Sequence, residues 1–192
     1  MPHPGSDHER LRDSLTAFTK EHRAKHWQGS FADYLDQILP GIAHLQTRSS
    51  HQYMWDMLRW YEKRQRKPGN VDDGGRNTAR ELFRRELFGI DESLDRVIEY
   101  FKAASAGSDV SRRLLLLLGP PSGGKSTIVI LLKRGLEEYS HTDEGAVYGL
   151  QGSPIRENPL VLVPASLRAQ FRDTYGVEIV GELSPLSRVR LE

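Results

Sequence analysis

The 192-residue chain has no cysteine. That excludes disulfide staples and thiolate metal sites, and it accords with a reducing compartment. An excess of one charge is missing as well: 27 Lys and Arg stand against 26 Asp and Glu, a formal net charge of +1. Nucleic-acid binders usually carry a marked basic surplus, so none is expected as a partner. Long apolar runs are also absent. Purely aliphatic stretches such as Leu114 to Leu118 fall far short of the ~20 residues a membrane-crossing helix needs. The start, Met1 to Asp7, is polar and lacks a signal peptide's apolar stretch, so the expected location is the cytoplasm. Neither a G-x-S-x-G elbow nor the H-R-D and D-F-G signatures of eukaryotic-type kinases occur.

What remains is the composition of a soluble globular protein, 38% hydrophobic and 28% charged. This length can bury one substantial core, or a core with a small subdomain.

The first half reads as helical. Leu11, Leu15 and Phe18 recur at helical spacing in a charged segment ending near Lys25. Ser30 is a suitable N-cap with Asp33 three residues on, and Pro40-Gly41 stops that helix. From about Ser50, Met54, Met57, Leu58 and Tyr61 share one helical face. Between Glu62 and Asn77, charge, Pro68 and three glycines predict an exposed linker, which divides the chain into a helical region, 1–77, and a second domain, 78–192.

In the second domain a helix is expected from Asp91 to about Phe101, with Leu94, Val97, Ile98 and Phe101 on its apolar face. The five leucines 114–118 then read as a strand buried on both faces of a parallel sheet. A helix from Lys125 to Tyr139 follows, packing through Ile128, Leu131, Leu132 and Leu136, with Ala146 to Leu150 as a second strand. Strand, Gly-rich turn, helix, strand is a βαβ unit, so the fold class is α/β with a parallel sheet, preceded by a helical subdomain. Leu167 to Tyr175 suggests a helix closed by Gly176, and Ser184-Pro185 the cap of another.

The βαβ turn carries the most specific chemistry. Gly119-Pro120-Pro121-Ser122-Gly123-Gly124-Lys125-Ser126 satisfies the P-loop pattern of Gly, four free positions, then Gly-Lys-Ser/Thr. Glycines let the backbone wrap closely enough for successive N–H groups to face phosphate oxygens, and the following helix adds the positive end of its dipole. Lys125 is expected to reach the β- and γ-phosphates, and Ser126 to hold magnesium through its hydroxyl, with Thr127 next in the helix. The implied ligand is ATP with Mg2+.

Other features carry less. His22 and His26 stand at i, i+4 but lack a third ligand, and a solvated helix face accounts for them. Lys63 to Lys67 lacks interleaved aromatics and reads as a solvated loop. Trp27, Phe31, Trp55 and Trp60 read as packing residues. No residue stands out as a phosphoryl-transfer base.

Six segments resemble a known family: Trp27 to Leu35 (WQGSFADYL), Glu86 to Tyr100 (ELFGIDESLDRVIEY), Leu114 to Thr127 (LLLLLGPPSGGKST), Lys133 to Leu150 (KRGLEEYSHTDEGAVYGL), Gln151 to Pro164 (QGSPIRENPLVLVP) and Tyr175 to Glu192 (YGVEIVGELSPLSRVRLE). They look like the amino-terminal part of the PrkA family, bacterial proteins called serine protein kinases and built on an AAA+ ATPase core. The resemblance implies an adenine pocket at Phe88, Gly89 and Ile90, the turn and helix start that precede the P-loop. It also implies ATP as nucleotide, a cytoplasmic setting, a tendency to form homo-oligomers and a role in stress physiology. Full-length members are several times longer, and their carboxy-terminal region is the part likened to protein kinases. A Walker-B strand, sensors and an arginine finger are missing here, and of five expected strands about two are visible. The chain is therefore expected to be the first part of such a protein.

Overall fold

The computed structural model describes residues 12, 14, 27–65 and 78–191. The Leu11, Leu15 and Phe18 pattern, the His22 and His26 pair, and residues 66–77 of the expected linker lie outside them. The chain divides into two compact units, Met1–Pro40 and Gly41–Glu192.

In the first unit, Ser30 caps the helix as expected, and Asp33 closes a full capping box with it. The Asp33 N–H donates to Ser30 Oγ at 3.1 Å, and the Ser30 N–H donates to Asp33 Oδ2 at 2.9 Å. These bonds, the Ser30 side chain first, hold the Asp33 carboxyl below the usual carboxylate range. They start α1 (Phe31–Asp33), which loosens at once into a π-helical turn, Tyr34–Ile38. Within this unit the rings of Trp27 and Phe31 lie 6.3 and 6.4 Å from that of Tyr34.

The second unit is built from α2 (Ala43–Gln46), α3 (Ser50–Gln65), α4 (Asp91–Ser105), α5 (Lys125–Ser140), α6 (Arg168–Tyr175) and α7 (Pro185–Leu191). Helix α3 runs on through Glu62 to Gln65, so the first residues of the expected linker are helical. The core joins the apolar faces of three helices around a 3-10 turn, Thr78–Leu82. Met57 and Leu58 come from α3, Leu94 and Ile98 from α4, Ile128, Leu131, Leu132 and Tyr139 from α5, and Leu82 and Phe83 from the turn and its end. These are the faces the i, i+3, i+4 patterns marked out. Gly135 weakens α5 by about 1 kcal/mol relative to alanine in helix propensity. Its reason is tertiary: a Cβ there would meet Met57 Sδ at 2.9 Å and Leu82 Cδ1 at 3.1 Å. Trp55 and Trp60 pack against this core as expected.

The sheet is where expectation and structure part. Among the described residues no strand is formed, either at Leu114 to Leu118 or at Ala146 to Leu150. Leu115 and Leu117 are half-buried, while Leu114 and Leu118 are 86% and 82% exposed, so the leucines are not enclosed on both faces. A strand exists only through a partner's backbone groups, and an apolar run cannot supply that partner. The segment 146–150 closes locally instead, the Leu150 N–H donating to the Glu157 carbonyl at 2.8 Å.

That closure sets up a polar staple. Glu157 accepts from the Ser184 N–H at 2.7 Å and from Ser153 Oγ at 3.1 Å, while Ser187 Oγ, fully buried, donates to Ser153 Oγ at 3.1 Å. Ser184 also caps α7, accepting from the Ser187 N–H at 3.3 Å, as Ser184-Pro185 predicts. Hydrogen bonding by Ser187, then by the Ser184 N–H, holds the Glu157 carboxyl below its ordinary value. A depressed carboxyl contributes stability above its unfolded pKa, about 4.3, and loses it as pH falls through the lower folded value. Glu157→Gln should therefore melt below the wild type at pH 7, with the gap narrowing on acidification below about pH 4.3. Parallel melting curves from pH 7 to pH 3 check this; a constant gap would show that the carboxylate charge is not what holds the staple.

Candidate nucleotide-binding site

The loop from Gly119 leads directly into α5. A tight turn, with the Gly123 N–H donating to the Pro120 carbonyl at 3.2 Å, folds it back. Two residues then take left-handed backbone, Ser122 at φ +62° and Gly124 at φ +77°. Gly124 is required twice over. Its φ favours glycine, and a Cβ there would meet Leu87 Cδ2 at 3.1 Å and Ile90 Cδ1 at 3.3 Å. The loop thus lies directly against the segment before α4.

Ser122 takes its left-handed conformation without glycine's freedom, at about 1 kcal/mol. Ser122→Gly is expected to raise stability by roughly 0.5 kcal/mol, because relief of strain outweighs the added unfolded-chain entropy. Ser122→Val, β-branched at such a φ, should lower it by about 1–2 kcal/mol. Thermal melts of both variants decide, and an unchanged valine variant would rule out a left-handed residue there.

The first intrahelical bond of α5 runs from the Ile128 N–H to the Gly124 carbonyl at 2.9 Å. The N–H groups of Lys125, Ser126 and Thr127 are therefore the unpaired donors of a helix start. Ser126 is exposed. Lys125 Nζ donates to the Gly119 carbonyl at 2.8 Å and also to the Pro120 carbonyl, lying across the mouth of the loop.

Pro121 to Thr127, together with Glu86, Leu87, Phe88 and Ile90, line an open cavity of about 650 Å³. The volume lies in the range of small-molecule sites. Phe88 is 80% exposed, an aromatic face with little protein against it. Gly89, at φ +73°, turns the chain between Phe88 and Ile90 without itself lining the space. Gly119 and Pro120 likewise stand outside the lining and serve the lysine.

Glu86 and Leu87 line the cavity although the sequence reading passed over them. Leu87 was within reach of that reading, being adjacent to Phe88. Glu86 was not: no motif marks it, and its pairing with Arg134 on α5, Nη1 donating to Oε1 at 3.0 Å on the surface, spans 48 residues of chain. The donor set suits an anion: three N–H groups, a lysine amine and a serine hydroxyl converge, and the carboxylate in the lining is tied back by an arginine. A second concavity of about 570 Å³, between Arg48, Trp55, Ser105 and Glu178, shares no residue with it.

A glycine-rich loop of this pattern opening a helix defines the P-loop nucleotide-binding class. More particularly, the chain belongs to the PrkA AAA domain family, whose profile matches residues 29–192. It is similar to the "ATP-dependent protease PrkA" of Bacillus subtilis (strain 168), 43% identical over 181 residues, which cover 93% of this chain and 27% of that relative. The chain thus spans about a quarter of that relative's length. It is also similar to an "Uncharacterized protein in gldA 5'region" of Geobacillus stearothermophilus, 32% identical over 97 residues, 49% of this chain and 87% of that protein. No solved structure matches. Membership of an AAA family implies the P-loop NTPase fold and nucleotide binding. No described helix is long and apolar enough to cross a membrane, and no described cluster of His, Asp and Glu could hold a metal ion.

Proposed function

We propose that the chain is the ATP-binding amino-terminal AAA portion of a PrkA-like ATPase, acting through Mg-ATP held at Gly119 to Thr127. The observation that carries this reading is the single cavity shared by the P-loop and the Glu86 to Ile90 wall. Phosphates enter where the α5 N–H groups converge, Lys125 turns from the loop carbonyls to the β- and γ-phosphates, and the base lies on Phe88 and Ile90. Ser126 would hold the magnesium ion, which when bound screens the charge of the β- and γ-phosphates. The nucleotide domain is taken as 78–192, with residues 1–77 ahead of it in sequence and α3 packed into the same core, and the setting is the cytoplasm.

Within the 192 residues no apolar strand ends in an acidic pair, so binding without turnover is expected of the chain by itself. Titration with Mg-ATP should show one saturable site and no phosphate release. A sustained magnesium-dependent ATPase rate would refute the second half of this statement.

For the parent protein, ATP-driven remodelling linked to proteolysis competes with serine phosphorylation. The name of the Bacillus relative, a protease, favours the former. A non-catalytic role in assembly is the second reading for this chain, supported by the exposed Leu114, Leu116 and Leu118. Size-exclusion chromatography with and without ATP separates the two, since a monodisperse monomer in both conditions argues against assembly.

A further inference from the structure

Glu86 is an acidic residue among those lining a cavity that otherwise gathers donors for phosphate, and its carboxylate pairs with Arg134 beside that lining. Beside a triphosphate such a group would be repelled, so its place in the cavity needs a different part of the ligand. Its position supplies one. Arg134, which holds it, stands nine residues along α5 from Lys125 (134 minus 125). Allowing for the backward lean of a long helical side chain, that puts the carboxylate on the order of 10 Å from the loop end of the helix. A nucleotide with its phosphates on the loop keeps its ribose next to them and carries its base at the far end. Leu87, Phe88 and Ile90 are apolar and suit the face of a flat ring, which leaves the ring's polar edge for Glu86.

We infer that Glu86, positioned by Arg134, is the base-reading residue of the site and accepts a hydrogen bond from the exocyclic amino group of adenine. The inference rests on the nucleotide reading above and deepens it. A carboxylate has only acceptors to offer, so it favours a purine with an amino group at position 6 over one without a donor there. The Arg134 bond uses one oxygen, Oε1, and Oε2 remains for the base.

The test compares affinities of the 192-residue chain for Mg-ATP, purine riboside triphosphate (no 6-amino group), 2′-deoxyATP and inorganic tripolyphosphate. The wild type should bind ATP about tenfold more tightly than purine riboside triphosphate, the effect of one charge-assisted hydrogen bond. Glu86→Ala should lower ATP affinity by that factor, leave purine riboside triphosphate unchanged, and so erase the preference. Because Glu86 is exposed, the variant should fold, and unchanged tripolyphosphate binding verifies its loop. Two results overturn the inference while sparing the nucleotide site: Glu86→Ala keeping the preference for ATP, or Glu86→Ala removing a preference for ATP over 2′-deoxyATP instead, which would assign the carboxylate to the ribose. If neither ATP nor tripolyphosphate binds the wild type, the nucleotide reading itself falls, and the inference with it.

Discussion

Lys125→Ala is expected to abolish ATP binding by this chain, weakening it by at least about a hundredfold. The amine bridges the carbonyls of Gly119 and Pro120, so it already sits over the loop where the proposed phosphates would lie. Charge-assisted hydrogen bonds to phosphate are worth about 1.5–3 kcal/mol each, and Lys125 can donate more than one. Two such bonds correspond to a factor of about 10² to 10⁴ in affinity. The loop carbonyls it leaves behind are exposed and can bond to water, so stability should change by less than about 1 kcal/mol. Calorimetric titration with Mg-ATP, beside a thermal melt, separates lost binding from lost folding. A folded variant that still binds with submicromolar affinity would remove Lys125 from the site.

The largest stability effect is expected at Arg48→Met, about 3 kcal/mol. Arg48 is 7% exposed at its side chain and fastens the start of α3 to the end of α5. Its Nη1 donates to Asp56 Oδ2 and to Tyr139 Oη, both at 2.9 Å, its Nη2 to the Glu144 carbonyl at 2.8 Å, and its Nε to the Leu45 carbonyl at 2.8 Å. The guanidinium also lies 4.9 Å from the centre of the Tyr53 ring, a cation–π arrangement. Burial works against its charge, yet the bonds to Asp56 and Tyr139 outweigh that, and its pKa is raised. Methionine fills much of the same volume but strands three acceptors and the Asp56 charge. Asp56 is 36% exposed and regains part of its hydration, which keeps the loss at the lower end for a broken buried pair. Arg48→Lys should recover less than half of it, since one ammonium cannot span four acceptors arranged for a fork. Urea denaturation at pH 7 measures both, and a loss below 1 kcal/mol in the methionine variant would mark the network as a surface feature.

Much of this molecule was legible residue by residue. The N-cap at Ser30, the Gly176 that closes α6, and the cap at Ser184 each depend on a few neighbouring residues, and each formed as read. The apolar faces of α3, α4 and α5 followed from periodicity, because a helix facing a core needs that stripe whatever it packs against. The resemblance of six segments to the PrkA family agrees with the family found over residues 29–192. Leu114 to Leu118, expected as an enclosed strand, is unpaired among the described residues for an instructive reason. A run of leucines states that it must be covered, but it says nothing of the partner whose backbone would make it a strand.

By itself the sequence determined helices α3 to α7, the caps at Ser30 and Ser184, the P-loop pattern and the family, because each is written in residues adjacent along the chain or at one fixed period. Tertiary structure alone decided what meets what. It set Gly135 against Met57, clamped Arg48 onto Tyr139 and Glu144, drew Glu157 to Ser184, and paired Glu86, beside the P-loop, with Arg134. Those pairings join residues tens of positions apart, and a side chain's distant partner is chosen by how the helices pack rather than by its own neighbourhood.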